Sequence, residues 1–117
     1  MTDDTLTVAP AAGVIVVRAG GAVLAESHAA LEASSAAAEE GADPIRLLPM
    51  EDASLFLDRT EEVKEIPGLG TARGYDIVAK SGPIPLAAWA VETPVAGAEA
   101  AAGHVFFDEE RVAVERL

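Results

Sequence analysis

The sequence predicts a mainly β protein: one compact antiparallel domain, a sandwich or partial barrel, with one or two short helices. Three observations lead there. Runs of β-branched and aromatic residues recur about every ten positions with Gly and Pro between them. Alternating helical stretches of about ten residues, which parallel βαβ units need, are missing. The bulky apolar residues gather in 87–114, which holds the only Trp and two of the three Phe. A chain of 117 residues fits a single core. Residues 1–12 are expected to form a flexible arm and 13–117 the β domain.

Met1 to Ala12 is polar, then Pro- and Ala-bearing, without periodicity. Val14-Ile15-Val16-Val17-Arg18 and Val23-Leu24-Ala25-Glu26 flank Gly20-Gly21, a hairpin pattern, because the tight turn needs a positive φ that Gly adopts with little strain. Ala29 to Glu40 is Ala-rich, has Ser27 as a candidate cap and Gly41 as a stop, and reads locally as helix. It offers only one large apolar residue, Leu31, to hold a helix on a core, so Ala30-Leu31-Glu32 is also compatible with sheet. Ile45 to Leu48 is a short strand ended by Pro49, followed by a single turn at Met50-Glu51-Asp52.

Asp58 to Glu65 is charged and loop-like. Thr71 to Ala79 and Ile84 to Val91 are expected strands, the second interrupted by Pro85. Val95 to Ala102 is small and helix-compatible, and His104 to Phe107 and Val112 to Glu115 read as strands flanking a hairpin tip at Asp108 to Arg111. Because 25 of the 117 residues are Ala, the core must lean on Val, Leu, Ile and the aromatics Phe56, Tyr75, Trp89, Phe106 and Phe107.

Twenty acids against eight bases give a net charge of -12, which repels phosphate backbones and anionic lipid surfaces. Neither nucleic acid nor membrane is an expected partner, and no apolar run reaches the roughly 18 residues that span a bilayer. The acidic start, Met1-Thr2-Asp3-Asp4, has no secretory pattern, so a cytoplasmic location is expected. Without Cys there is no disulfide, no thiolate nucleophile and no Cys-ligated metal.

Gly68-Leu69-Gly70-Thr71-Ala72-Arg73-Gly74 has neither dinucleotide-loop nor P-loop spacing and leads into a strand, so a turn is its plainer meaning. His28 and His104 are the only groups that titrate ordinarily near neutrality, and neither has metal-site spacing. No cofactor and no metal are expected. The carboxylate pairs, such as Glu39-Glu40 and Glu61-Glu62, read as solvated loops, and no Ser sits in a nucleophile elbow. Arg18, Arg46, Arg59, Arg73, Arg111 and Arg116 are candidates for ion pairs or an anion clamp. A ligand pocket, if present, is expected to use Trp89 and Tyr75 as walls, with Arg73, Asp76 or Glu92 as polar groups and His104 as a further contact.

Several stretches together carry a resemblance. Gly20 to Ser27 is similar to a G-G-x-x-V-A-D-S pattern, Leu48 to Ala53 to F-P-x-E-D-V, and Pro67, Gly70 and Ala72 to C-P-x-K-G-x-A. Ala88-Trp89 with Pro94 is similar to A-W-x-x-x-x-P, Gly103 to Phe107 to G-Y-V-x-F, and Arg111-Val112 to R-V. On these, from about Val14 to Glu115, the chain resembles the domain-of-unknown-function family 427, small, mostly bacterial domains also catalogued as nucleotidyltransferase-like. Ile66 and Leu69 stand where that pattern has Cys and Lys, and Arg46-Leu47 where it often has an aromatic pair. The resemblance implies a β-tent-like fold. The catalogue label implies no mechanism that these residues can carry, because metal-dependent nucleotidyl transfer needs clustered acids beside a phosphate-binding Gly-Ser.

Three functions follow. The first is non-catalytic binding of a small molecule or partner protein through Trp89, Tyr75 and Arg73. The second is an enzyme on a small metabolite, phosphorylated or not, with His104 or a carboxylate as base. The third is a self-associating module, a homodimer built through strand edges.

Overall fold

In the computed structural model, residues 7–19, 22–34, 45–53, 56–79 and 82–117 are described. They form ten strands, all paired antiparallel, in two open sheets. The larger sheet contains β1 (Thr7–Pro10), β4 (Leu31–Ser34), β5 (Ile45–Pro49), β9 (His104–Phe107), β8 (Gly82–Pro94), β7 (Gly70–Ala79) and β6 (Leu57–Ile66), in that order across the sheet. The smaller has β10 (Ala113–Arg116), β2 (Ile15–Ala19) and β3 (Ala22–Ser27). A single turn of helix, α1 (Met50–Ala53), follows β5, and a 3-10 turn, Glu99–Ala101, precedes β9. The mainly β, antiparallel, single-domain expectation therefore holds, with two unclosed sheets instead of a barrel.

Strand alternation gives the large sheet two different faces. Leu48, Ile77, Ala88, Ala90, Val105 and Phe107 turn toward the small sheet and pack with its Ile15, Val17 and Leu24. Ala25, Ala79, Ala87 and Ala88 in this layer add little area but let the two sheets approach closely. A side chain such as Ile77, with no exposed surface, contributes about 1.5–3 kcal/mol by burial. The opposite face carries a smaller cluster of Leu47, Val91, Leu69 and Ala33, covered by Ala98 and Ala101 of the 3-10 turn. The Gly97 amide binds both oxygens of the Glu99 carboxylate at 3.0 and 3.1 Å and holds that group below its ordinary pKa.

Three expectations are corrected. Of the two readings of Ala29 to Glu40, the helix gives way, in the described part, to the sheet reading: Leu31–Ser34 is strand β4, paired on both sides by β1 and β5. One Leu cannot seat an amphipathic helix, whereas strands on both sides pair with this backbone. Residues 35–40 lie outside the described ones. The charged stretch from Asp58 to Glu65 is no loop but most of β6, an edge strand whose charges project to solvent. Asp108 to Arg111 is no hairpin tip: β9 pairs with β5 and β8, while β10 pairs with β2, so this turn passes the chain from one sheet to the other. The turn is fastened by the Asp108 amide on the Ala87 carbonyl and by Arg111 donating to the Pro85 carbonyl.

The expected hairpin of β2 and β3 is present as an antiparallel pair, although Gly20 and Gly21 themselves lie outside the described residues. The first strand, β1, lies within the stretch read as an arm. Among the described residues no helix is long and apolar enough to cross a membrane.

Candidate functional site

The shortest ladder among the described strands of the large sheet joins β5 to β9. That ladder has just two pairs, Leu48 with Val105 and Pro49 with His104, whereas β7 and β8 stay paired over nearly their whole length. Continued pairing would set Leu47, Arg46 and Ile45 opposite Phe106, Phe107 and Asp108. Instead, a cleft of about 450 Å³ opens there, with Ile45 and Arg46 on one bank and Phe106 to Glu109 on the other. Because adjacent strand residues point to opposite faces, the lining draws on both: Ile45 and Phe106 belong to the Leu47 and Val91 face, Phe107 to the main core, and Arg46 reaches the Val114 carbonyl of the small sheet.

Trp89 forms the aromatic wall. On β8 it stands opposite Gly74 of β7 on one side and Phe106 of β9 on the other. A Cβ at Gly74 would come within 2.8 Å of Leu86 Cδ2 and 3.1 and 3.2 Å of two Trp89 ring atoms, so glycine makes the room in which the indole lies. Lys64 of β6 completes the wall, its Nζ 4.0 Å from the centroid of the Trp89 ring. Trp89 remains 9% exposed, mostly buried yet bordering the cleft.

Arg46 brings the second cation. Its Nη1 donates to the Val114 carbonyl of β10 at 3.0 Å, and its Nε lies 4.0 Å from Glu32 Oε2, which Arg116 engages at 3.0 Å. The Arg46 Nε is buried without a hydrogen-bond partner. The acids on the facing bank are partly committed: Asp108 Oδ1 accepts the Glu110 amide at 3.0 Å, and Glu109 is exposed at the rim.

Of the residues expected to line a pocket, only Trp89 borders this cleft. Arg73 and Tyr75 flank Gly74 on β7 and so point to the face away from Trp89. There Arg73 meets Glu92 at 3.4 Å and the Thr60 carbonyl at 3.4 Å, Arg59 meets the same Glu92 at 3.5 Å, and Tyr75 packs on the main core. Asp76 accepts the Leu86 amide at 2.9 Å and steadies Leu86 in its left-handed conformation, φ 50°, at a bulge in β8. His104 places Nδ1 3.1 Å from the Ala102 carbonyl, and His28 is exposed. Among the described residues no group of three His, Cys, Asp or Glu could hold a metal ion.

A family model described as a domain of unknown function, DUF427, matches residues 7–117, from the start of β1 to the last residue. The chain belongs to the DUF427 family. No curated protein gives a significant match.

Two stretches that carry the DUF427 resemblance meet in space. Ser27, at the end of Gly20 to Ser27, is buried; its hydroxyl donates to Asp52 at 2.7 Å and accepts the Ala29 amide at 3.0 Å. This clamps α1 to β3. A third stretch, Gly103 to Phe107, supplies Phe106 and Phe107 to the cleft of this DUF427 domain. Lys64 and Ile45 went unrecognised as site residues: Lys64 sits in a run whose charge masks its strand, and nothing local to Ile45 marks the end of a ladder.

Proposed function

We propose that this DUF427 domain is a non-catalytic binding module that takes a small molecule in the β5–β9 cleft. The observation that carries the reading is the cleft itself: about 450 Å³, with Trp89 and Phe106 as apolar walls and two of the chain's eight bases, Arg46 and Lys64, at its side. Concave sites with apolar walls and a few charged groups are what small-molecule ligands use. Among the described residues the groups around it are walls and charges, neither His borders it, and no acid and base there meet in a hydrogen bond, which favours binding over acid-base catalysis. Assembly through the edges of the large sheet is the weaker reading, because β6 is charged and bulged and β1 is short and ends in Pro10.

Trp89 is the only Trp, so its single indole N–H resonance reports on the cleft. A metabolite panel followed by that resonance and by thermal denaturation tests the reading. A true ligand at a hundred times its dissociation constant stabilises the fold by roughly 2.7 kcal/mol and moves the indole signal. Turnover of any bound compound into product would overturn the non-catalytic assignment, and a ligand that stabilises without moving the indole signal would overturn the location.

A further inference from the structure

We infer that the cleft selects an organic anion with a flat apolar part: a carboxylate or phosphate held by Lys64 and Arg46, its ring or chain against Trp89 and Phe106. The inference rests on the cleft being the binding site and adds the chemical class of the ligand.

Two observations carry it. The first is Arg46, a cleft-lining residue whose side chain keeps about a fifth of its surface exposed and whose guanidinium gives one Nη to the Val114 carbonyl and has its Nε without an acceptor. A guanidinium short of partners is best completed by an anionic oxygen. Glu32 does not fill that role: at 4.0 Å from the Nε it is beyond hydrogen-bond range, and it is engaged by Arg116 at 3.0 Å. The second is Lys64. Among the described residues its ammonium makes one close contact, the Trp89 ring at 4.0 Å, and that contact leaves its N–H donors free to meet an anion lying along the ring.

The charge around the cleft sharpens the selection. A net charge of -12 repels anions in general, so a bare anion gains little here. An anion carrying an apolar ring gains the wall as well, and the cleft then discriminates by requiring both parts. Asp108 does not compete for the cations with its whole carboxylate, because one oxygen holds the Glu110 amide.

The test uses the full chain, the Trp89 indole resonance and four probes at constant ionic strength: phenyl phosphate, benzoate, inorganic phosphate and benzyltrimethylammonium. The two aromatic anions are expected to move the indole signal in a saturable way, at least about tenfold more tightly than inorganic phosphate or the aromatic cation. Lys64→Met, at an exposed position, is expected to weaken phenyl phosphate about tenfold, and Arg46→Lys to weaken it by a similar factor. Arg18→Gln removes a cation that pairs with Glu115 away from the cleft and is expected to leave the affinity unchanged. If the aromatic cation binds as tightly as the aromatic anions, or if the Lys64 and Arg18 variants weaken phenyl phosphate equally, the anion inference is wrong while the cleft remains the site. If none of the four moves the indole signal, the anion inference is wrong, and the cleft reading stands or falls on the metabolite panel.

Discussion

Arg46 and Arg73 are alike in composition and burial yet differ in prospects. Each is about four-fifths buried, and each has an Nε without a partner. Arg73 stands within the long β7–β8 ladder, where the Thr60 carbonyl takes one nitrogen and Glu92, shared with Arg59, takes another. Arg46 stands where the β5–β9 ladder stops, and its carboxylate neighbour is drawn toward Arg116. The difference teaches that the cleft in this fold goes with an interruption of pairing more than with residue type. The same side chain sits inside a ladder where strands stay together and beside a cleft where they part.

The comparison breaks first on stability. Ile77→Ala, in the continuous part of the sheet and fully buried, is expected to destabilise by about 2–5 kcal/mol in urea or thermal unfolding. The Lys64 and Arg46 substitutions at the cleft should stay well below that value. If they equal it, the cleft is as much core as the ladder and the distinction fails. Gly74→Ala comes next, because it joins the two regions: its methyl group would press on Leu86 and on the Trp89 ring, for an expected loss of about 1–3 kcal/mol and a displaced indole resonance. Unchanged stability with an unchanged indole signal would mean that Trp89 does not depend on the room Gly74 leaves.

Much of this fold was legible in the sequence, for a physical reason. Strands such as Ile15–Ala19 and His104–Phe107 are short runs of β-branched and aromatic residues, and local composition marks them. The Ala-rich β4 was legible only as an alternative to helix, and the charged β6 not at all, because their strand state comes from neighbours, β1 and β5 in one case and β7 in the other. The site was less legible still. Trp89 is conspicuous as the lone indole, but Arg46, Lys64, Phe106 and Trp89 come from four strands, and their meeting depends on register and on where a ladder ends. Grouping Trp89 with Arg73 and Tyr75 by closeness along the chain places them together, whereas the alternation of β7 against β8 sets them on opposite faces.

Ser27→Ala separates the clamp at α1 from both regions. It removes the buried hydroxyl that links Asp52 and the Ala29 amide, for an expected loss of about 1–2 kcal/mol in unfolding, with phenyl phosphate affinity unchanged. An altered affinity would extend the cleft's support to α1 and β3.

The smallest effect on stability, and the most direct on the comparison, belongs to Glu92→Gln. The carboxylate is more than a third exposed and its ion pairs are long, so its loss is expected to shift stability by no more than about 1 kcal/mol. Its electrostatic consequence is larger: Arg59 and Arg73 lose the one anion they share. If neutralisation by Glu92 is what separates Arg73 from Arg46, the variant gains a second site for phenyl phosphate on the face away from Trp89. That site would appear as shifts in the Arg59 and Arg73 side-chain N–H resonances at ligand concentrations that leave the same signals of the parent protein unmoved. If they stay unmoved in the variant too, the packing of the continuous ladder, and not the Glu92 charge, closes Arg73 to ligands, and only a break between strands can open such a site.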